Sequence, residues 1–196
     1  MRLFNSAKGY GAIAQALHWF TVVLVVLAWT LGVFADLLPK GEPRHAGLVV
    51  HISTGILIIV LVLARLVSRS VSSPPALAAS EFGAWLGKWV DPVARIMHYI
   101  LYALLVAVPL TGIVLQFARG DALSLLGLAT IPSPWLKDAV FAHNVKEVHE
   151  IIAHSLVILA MIHAGAALIH HWVFRDNTLL RMLPHTEDWH AHDRST

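Results

Sequence analysis

The chain has 196 residues, is 57% hydrophobic and only 13% charged, and carries a formal net charge of +2. A soluble domain carries about 25% charged residues, so the main solvent expected for this chain is lipid. It has no cysteine, which excludes disulfides, thiolate zinc sites, iron–sulfur clusters and thiol catalysis. Histidine, with 13 copies, is the chemical excess.

Four uncharged runs approach the roughly 20 residues that cross a bilayer. Backbone amides in lipid need partners within their own segment, so the runs, about 12–35, 46–64, 96–118 and 151–174, are read as helices, with spans over about 12–35, 46–66, 93–118 and 146–174. The first is too long for a signal peptide and lacks a small-residue cleavage pattern, so it is read as a span. Pro39, Gly41 and Pro43 separate the first two runs, and Ser72-Ser73-Pro74-Pro75 open the second connection. That connection also carries Trp85 and Trp89, read as an interfacial segment. Pro109 falls inside the third run and predicts a kink. Gly120 to Pro134 reads as a longer loop, broken by Gly127, Pro132 and Pro134. After the fourth run, Arg175-Asp176-Asn177-Thr178 offer caps for a short amphipathic helix over 178–183, stopped by Pro184. The expected domain is residues 1–184, with a soluble tail over 185–196 that holds His185, His190 and His192.

Basic residues set the expected orientation. Arg2, Lys8, Arg65, Arg69, Lys88, Arg95, Arg175, Arg181 and Arg194 fall on one side, against Lys40, Arg44, Arg119, Lys137 and Lys146 on the other. The positive-inside rule then puts both termini in the cytoplasm.

Ionisable residues within a span are costly and point to function. His18 lies in the first span, His51 in the second, His98 in the third, and His149, His154, His163, His170 and His171 on the fourth. His149 and His163 are 14 residues apart, so they differ by about 40° in azimuth and about 21 Å along the axis. One helix face thus offers imidazoles at two depths. His51 matches the level of His149, while His18 and His98 both approach that of His163. Two facing pairs about 20 Å apart suit two six-coordinate haems stacked across the bilayer. Gly55 and the run Ala164-Gly165-Ala166-Ala167 would leave room for a flat macrocycle, although small residues also serve ordinary helix packing. A lone histidine such as His154 or His171 can instead simply hydrogen-bond a neighbouring helix. A histidine-lined zinc or iron transporter would be expected to add carboxylates within the spans, and their cores have none.

Leu17-His18-Trp19, His51-Ile52-Ser53-Thr54-Gly55, Val148-His149-Glu150 and the run from His163 through His170-His171 to Arg175-Asp176-Asn177-Thr178-Leu179-Leu180-Arg181-Met182-Leu183-Pro184 resemble the prokaryotic cytochrome b561 family over nearly the whole chain. That family stands within the wider group of dihaem cytochromes serving hydrogenases and formate dehydrogenases. The resemblance implies an all-α, integral membrane four-helix bundle holding two haems b. It assigns His18 and His163 to the cytoplasmic-side haem, and His51 and His149 to the periplasmic-side haem. The C-terminal run is closest to the superoxide-oxidising members. It implies a bacterial inner-membrane enzyme that oxidises superoxide to oxygen at the periplasmic side and reduces ubiquinone. Arg119 and Lys137 are expected to steer the anion, and His98 and His170 to form the quinone site. Either of these two could instead replace His18 as a ligand or support one from behind. The alternative function is an electron-transfer subunit anchoring a separate dehydrogenase or hydrogenase. The expected partners are the bilayer, ubiquinone and superoxide, with a homodimer or redox subunit left open and no nucleic acid.

Overall fold

Four helices carry most of the chain: α1 (Ala12–Val33), α2 (Glu42–Val71), α3 (Val90–Ala118) and α4 (Ala139–Trp172), of 22, 30, 29 and 34 residues. The computed structural model describes residues 3–6, 9–72 and 90–183. The expected interfacial tryptophans Trp85 and Trp89, the cations Arg2, Lys8, Lys88 and Arg194, and the tail with His185, His190 and His192 lie outside them. Each helix is long and apolar enough to cross a membrane. At 1.5 Å per residue they reach about 33 to 51 Å, more than the roughly 30 Å of hydrocarbon.

α2, α3 and α4 begin ahead of their expected spans, while α1 stops at Val33, and local chemistry starts α2 and α4. Gly41 adopts φ 97°, a left-handed turn that a side chain would strain, and Pro43 follows in the first turn of α2, where its missing N–H costs nothing. Asp138 caps α4, its Oδ1 accepting from the Phe141 amide at 2.9 Å. Pro109 lies inside α3, as expected. Hydroxyls within the spans satisfy themselves on the preceding turn. Thr21 donates to the Leu17 carbonyl, Thr54 to that of Val50 and Ser155 to that of Ile151.

α1 packs on α2, α2 on α3 and α3 on α4, with a lighter α1–α4 contact, in an antiparallel up-and-down bundle. Ile58, Val62, Leu105 and Leu156 form its core, and Val62 is fully buried. Outward-facing apolar side chains such as Val23, Val60 and Leu63 remain exposed. Continuous apolar faces of this extent suit lipid as their solvent. The chain is an all-α, multi-pass membrane protein.

The two ends of the bundle differ. At the terminal end, the Asn5 side chain donates to the Ser72 carbonyl at 2.9 Å, buried Gln15 to the Arg181 carbonyl at 3.3 Å, and Trp19 Nε1 to the Met182 carbonyl at 2.8 Å. These bonds tie the start of α1 and the end of α2 to the segments on either side. Over 178–183, where a short amphipathic helix was expected, the chain makes a single 3-10 turn, Leu180–Met182. At the distal end, the expected loop contains an antiparallel hairpin, β1 (Leu123–Leu125) with β2 (Ala129–Ile131). Its bend puts Gly127 at φ 71° and Leu126 at φ 55°. Leucine is seldom found in that left-handed region.

Candidate metal centres

At the distal level, α2 brings His51 against His149 of α4, with ring centroids 6.2 Å apart and planes at 74°. His51 Nδ1–H donates to the Ala28 carbonyl at 2.8 Å. His149 Nδ1–H donates to the Val108 carbonyl at 3.0 Å, with Thr111 Oγ1 at 3.1 Å. A carbonyl can only accept, so both rings carry their proton on Nδ1 and leave Nε2 bare. This is the tautomer that ligating imidazoles adopt when a backbone oxygen holds them from behind. Two imidazoles on opposite sides of one metal, with bonds of about 2 Å each, place their centroids about 6 Å apart. The observed spacing agrees.

Two glycines make this geometry possible. A Cβ on Gly32 would stand 3.3 Å from His51 Cε1, and one on Gly112 would stand 3.2 Å from His149 Cε1. Sequence reasoning missed both and singled out Gly55 and Gly165 instead. A Cβ on Gly55 would meet only Pro109, at an ordinary 3.6 Å, and one on Gly165 nothing within 4 Å. The overlooked signal is cross-helical, since neither Gly32 nor Gly112 neighbours a histidine in sequence.

At the terminal level, three imidazoles gather instead of two. His98 and His163 stand edge to face at 5.1 Å, nearer than the spacing of two rings across one metal. His18 lies within electrostatic reach of both, and its Nδ1 is buried with no hydrogen-bond partner. That orphaned nitrogen is costly unless something completes it. His170 lies in the last turn of α4 and donates from Nδ1 to Asp176 Oδ2 at 2.6 Å. Burial of Asp176 works to raise its carboxyl pKa, but hydrogen bonds from His170 and Thr178 outweigh this and hold it below the ordinary value. Asp176 therefore stays ionised, and able to accept from His170, as pH falls through the usual carboxylate range, and loses that stabilisation only below it.

Two of the remaining histidines, on the fourth span, stand apart from these groups. His154 Nδ1–H donates to its own helix at the Glu150 carbonyl, and its ring faces Trp29 at 6.2 Å. His171 occupies the last turn of α4. Among the described residues no three histidines or carboxylates converge as ligands of a bare metal ion. The donors fit a porphyrin iron, which needs only two axial imidazoles from the protein.

Arg119 ends at the distal side of α3, within electrostatic reach of His149. Lys137 lies beside it, its Cβ 3.2 Å from where a Gly120 side chain would begin. Neither cation is ion-paired among the described residues, whereas Lys146 is bound to Glu150 at 2.9 Å.

Comparison with known proteins identifies the family. The family model for prokaryotic cytochrome b561 matches residues 9–185. A Yersinia pestis protein named probable superoxide oxidase CybB is 30% identical, over 90% of this chain and 97% of its own length. Cytochrome b561 homolog 1 of Escherichia coli is 34% identical, over 86% of this chain and 93% of its own. A Cereibacter sphaeroides cytochrome b562 is 29% identical, over 89% and 95%. Four lipid-facing helices, half-buried imidazoles and a match along nearly the full length all agree: the chain belongs to the prokaryotic cytochrome b561 family, whose members carry b-type haem.

Proposed function

We propose that the protein is a superoxide:ubiquinone oxidoreductase of the bacterial inner membrane, with both termini cytoplasmic and two haems b. Two superoxide anions give up one electron each and leave as oxygen, while one ubiquinone takes up two electrons and two protons. The observation that carries the reading is the His51–His149 pair, two backbone-tethered imidazoles facing each other at the spacing of axial ligands. Similarity to a relative named as a probable superoxide oxidase supplies the substrate.

His51 and His149 would hold the distal haem, and His18 and His163 the terminal one. When bound, b-type haem supplies one-electron redox chemistry. The rest falls to the chain. Arg119 and Lys137 present unpaired positive charge next to the His149 level, where a small anion would be drawn in. Reversing both charges (R119E with K137E) is expected to slow haem reduction by superoxide by about tenfold at low salt. Stopped-flow rates at rising ionic strength should converge with wild type as charges are screened. Equal rates and equal salt dependence would remove the steering role.

At the terminal end, His98 and His170 would address the quinone. Asp176 fixes His170 with its proton on Nδ1, so Nε2 is the nitrogen presented for hydrogen bonding or proton transfer. The variant H170A is expected to slow quinone reduction by about a hundredfold while leaving haem reduction by superoxide intact. Reoxidation of the reduced protein by ubiquinone measures it, and an unchanged rate would end the assignment. The same pair of assays separates an enzyme from an anchor subunit for a dehydrogenase or hydrogenase, which superoxide would leave oxidised.

A further inference from the structure

A cavity of about 340 Å³ opens at the terminal end between α1, α2 and α3, far larger than a water site. Arg65, Arg69, Arg95, His98, Tyr99 and Tyr102 are among its lining residues. Arg65 and Arg69 are one turn apart on α2, and Arg95, His98, Tyr99 and Tyr102 share one face of α3. Three guanidiniums therefore share one space. None is ion-paired with a carboxylate among the described residues. Only Arg65 has partial relief, its guanidinium lying 5.2 Å from the centre of the Tyr102 ring.

Like charges gathered where lipid lowers the dielectric repel each other unless an anion joins them. Guanidinium forks match carboxylates two bonds at a time. The cavity also adjoins the terminal imidazoles. His98 lines it, and Arg65 lies within electrostatic reach of His18, His98 and His163. A neutral quinone headgroup would not call for three cations, whereas a b-type porphyrin carries two propionates.

We propose that Arg65, Arg69 and Arg95 form a carboxylate cradle for the two propionates of the haem held at the terminal level. This rests on the haem reading above. Arg65, half-buried, takes the inner carboxylate, and exposed Arg69 and Arg95 close over the outer one at the cavity mouth. The cradle has two consequences. It fixes the rotation of the macrocycle about its iron axis, and it places positive charge beside one centre only, making that centre easier to reduce than its own axial ligands dictate.

The test uses full-length purified protein carrying R65Q with R69Q, alongside R65K. Redox titration followed by absorbance gives a midpoint potential for each haem component, and the terminal one is identified by its loss in H163A. Both haems are expected to remain in the double glutamine variant, because all four axial imidazoles are intact. The terminal potential should shift negative while the distal one stays, and R65K should stay near wild type. The unchanged distal component is an internal control for folding. Unmoved potentials in both components would overturn the cradle while leaving the haem reading standing, and a colourless wild-type protein would overturn both. Native mass spectrometry with phosphatidylglycerol supplies the other arm. If the glutamine variant loses bound phospholipid and neither potential moves, the arginines hold a lipid phosphate and the proposal fails.

Discussion

Replacing His149 with alanine is expected to cut the haem content by about half, because one of two imidazole pairs is lost. The effect should be large because the Val108 carbonyl and Thr111 hold His149 at Nδ1, which leaves its Nε2 free to face His51. The variant H51A should give the same spectrum, since the two residues serve one centre. A haem assay per chain with oxidised and reduced spectra checks both. Retention of full pigment by either variant would remove the distal assignment and, with it, the entry point for superoxide.

The second large effect comes from a residue that touches no cofactor in sequence terms. A leucine at Gly112 would put its Cβ 3.2 Å from His149 Cε1 and drive the rest of its side chain into the ring. Overpacking of this kind costs about 1–3 kcal/mol when the neighbours can move. Here the neighbour is an imidazole whose position decides whether it can bind. Most of the distal haem should be lost in G112L, and likewise in G32L through His51. Full distal haem in G112L would show that His149 need not hold its observed place.

The histidine levels were legible in the sequence because helical geometry is regular. Fourteen residues along α4 fix a depth difference and an azimuth before any neighbour is known. The four spans were legible for a related reason. Lipid demands helices, and the length of an apolar run gives their number. Helix ends were less legible. α2 runs 30 residues and α4 runs 34, past their apolar stretches. Pro43 and Asp138 start them in polar surroundings that hydropathy does not register.

Other features resist a linear reading altogether. The hairpin at Leu123–Ile131 arises from pairing between two three-residue strands, too short to leave a periodic signal. The Asp176–His170 contact closes only because the chain turns back after α4, with Arg175 at φ 50°. The gathering of Arg65, Arg69 and Arg95 needs α2 and α3 to present particular faces to each other.

By itself, then, the sequence determined that this is a four-span, cysteine-free membrane helix bundle with imidazoles at two depths, because those properties depend on spacing within single helices. Only the tertiary structure decided which nitrogen each distal imidazole leaves free, and that Gly32 and Gly112 clear space for the rings. It also placed His98 beside His163 and three arginines around one cavity. Each of these depends on the rotation and separation of neighbouring helices, which side-chain packing sets and no single segment encodes.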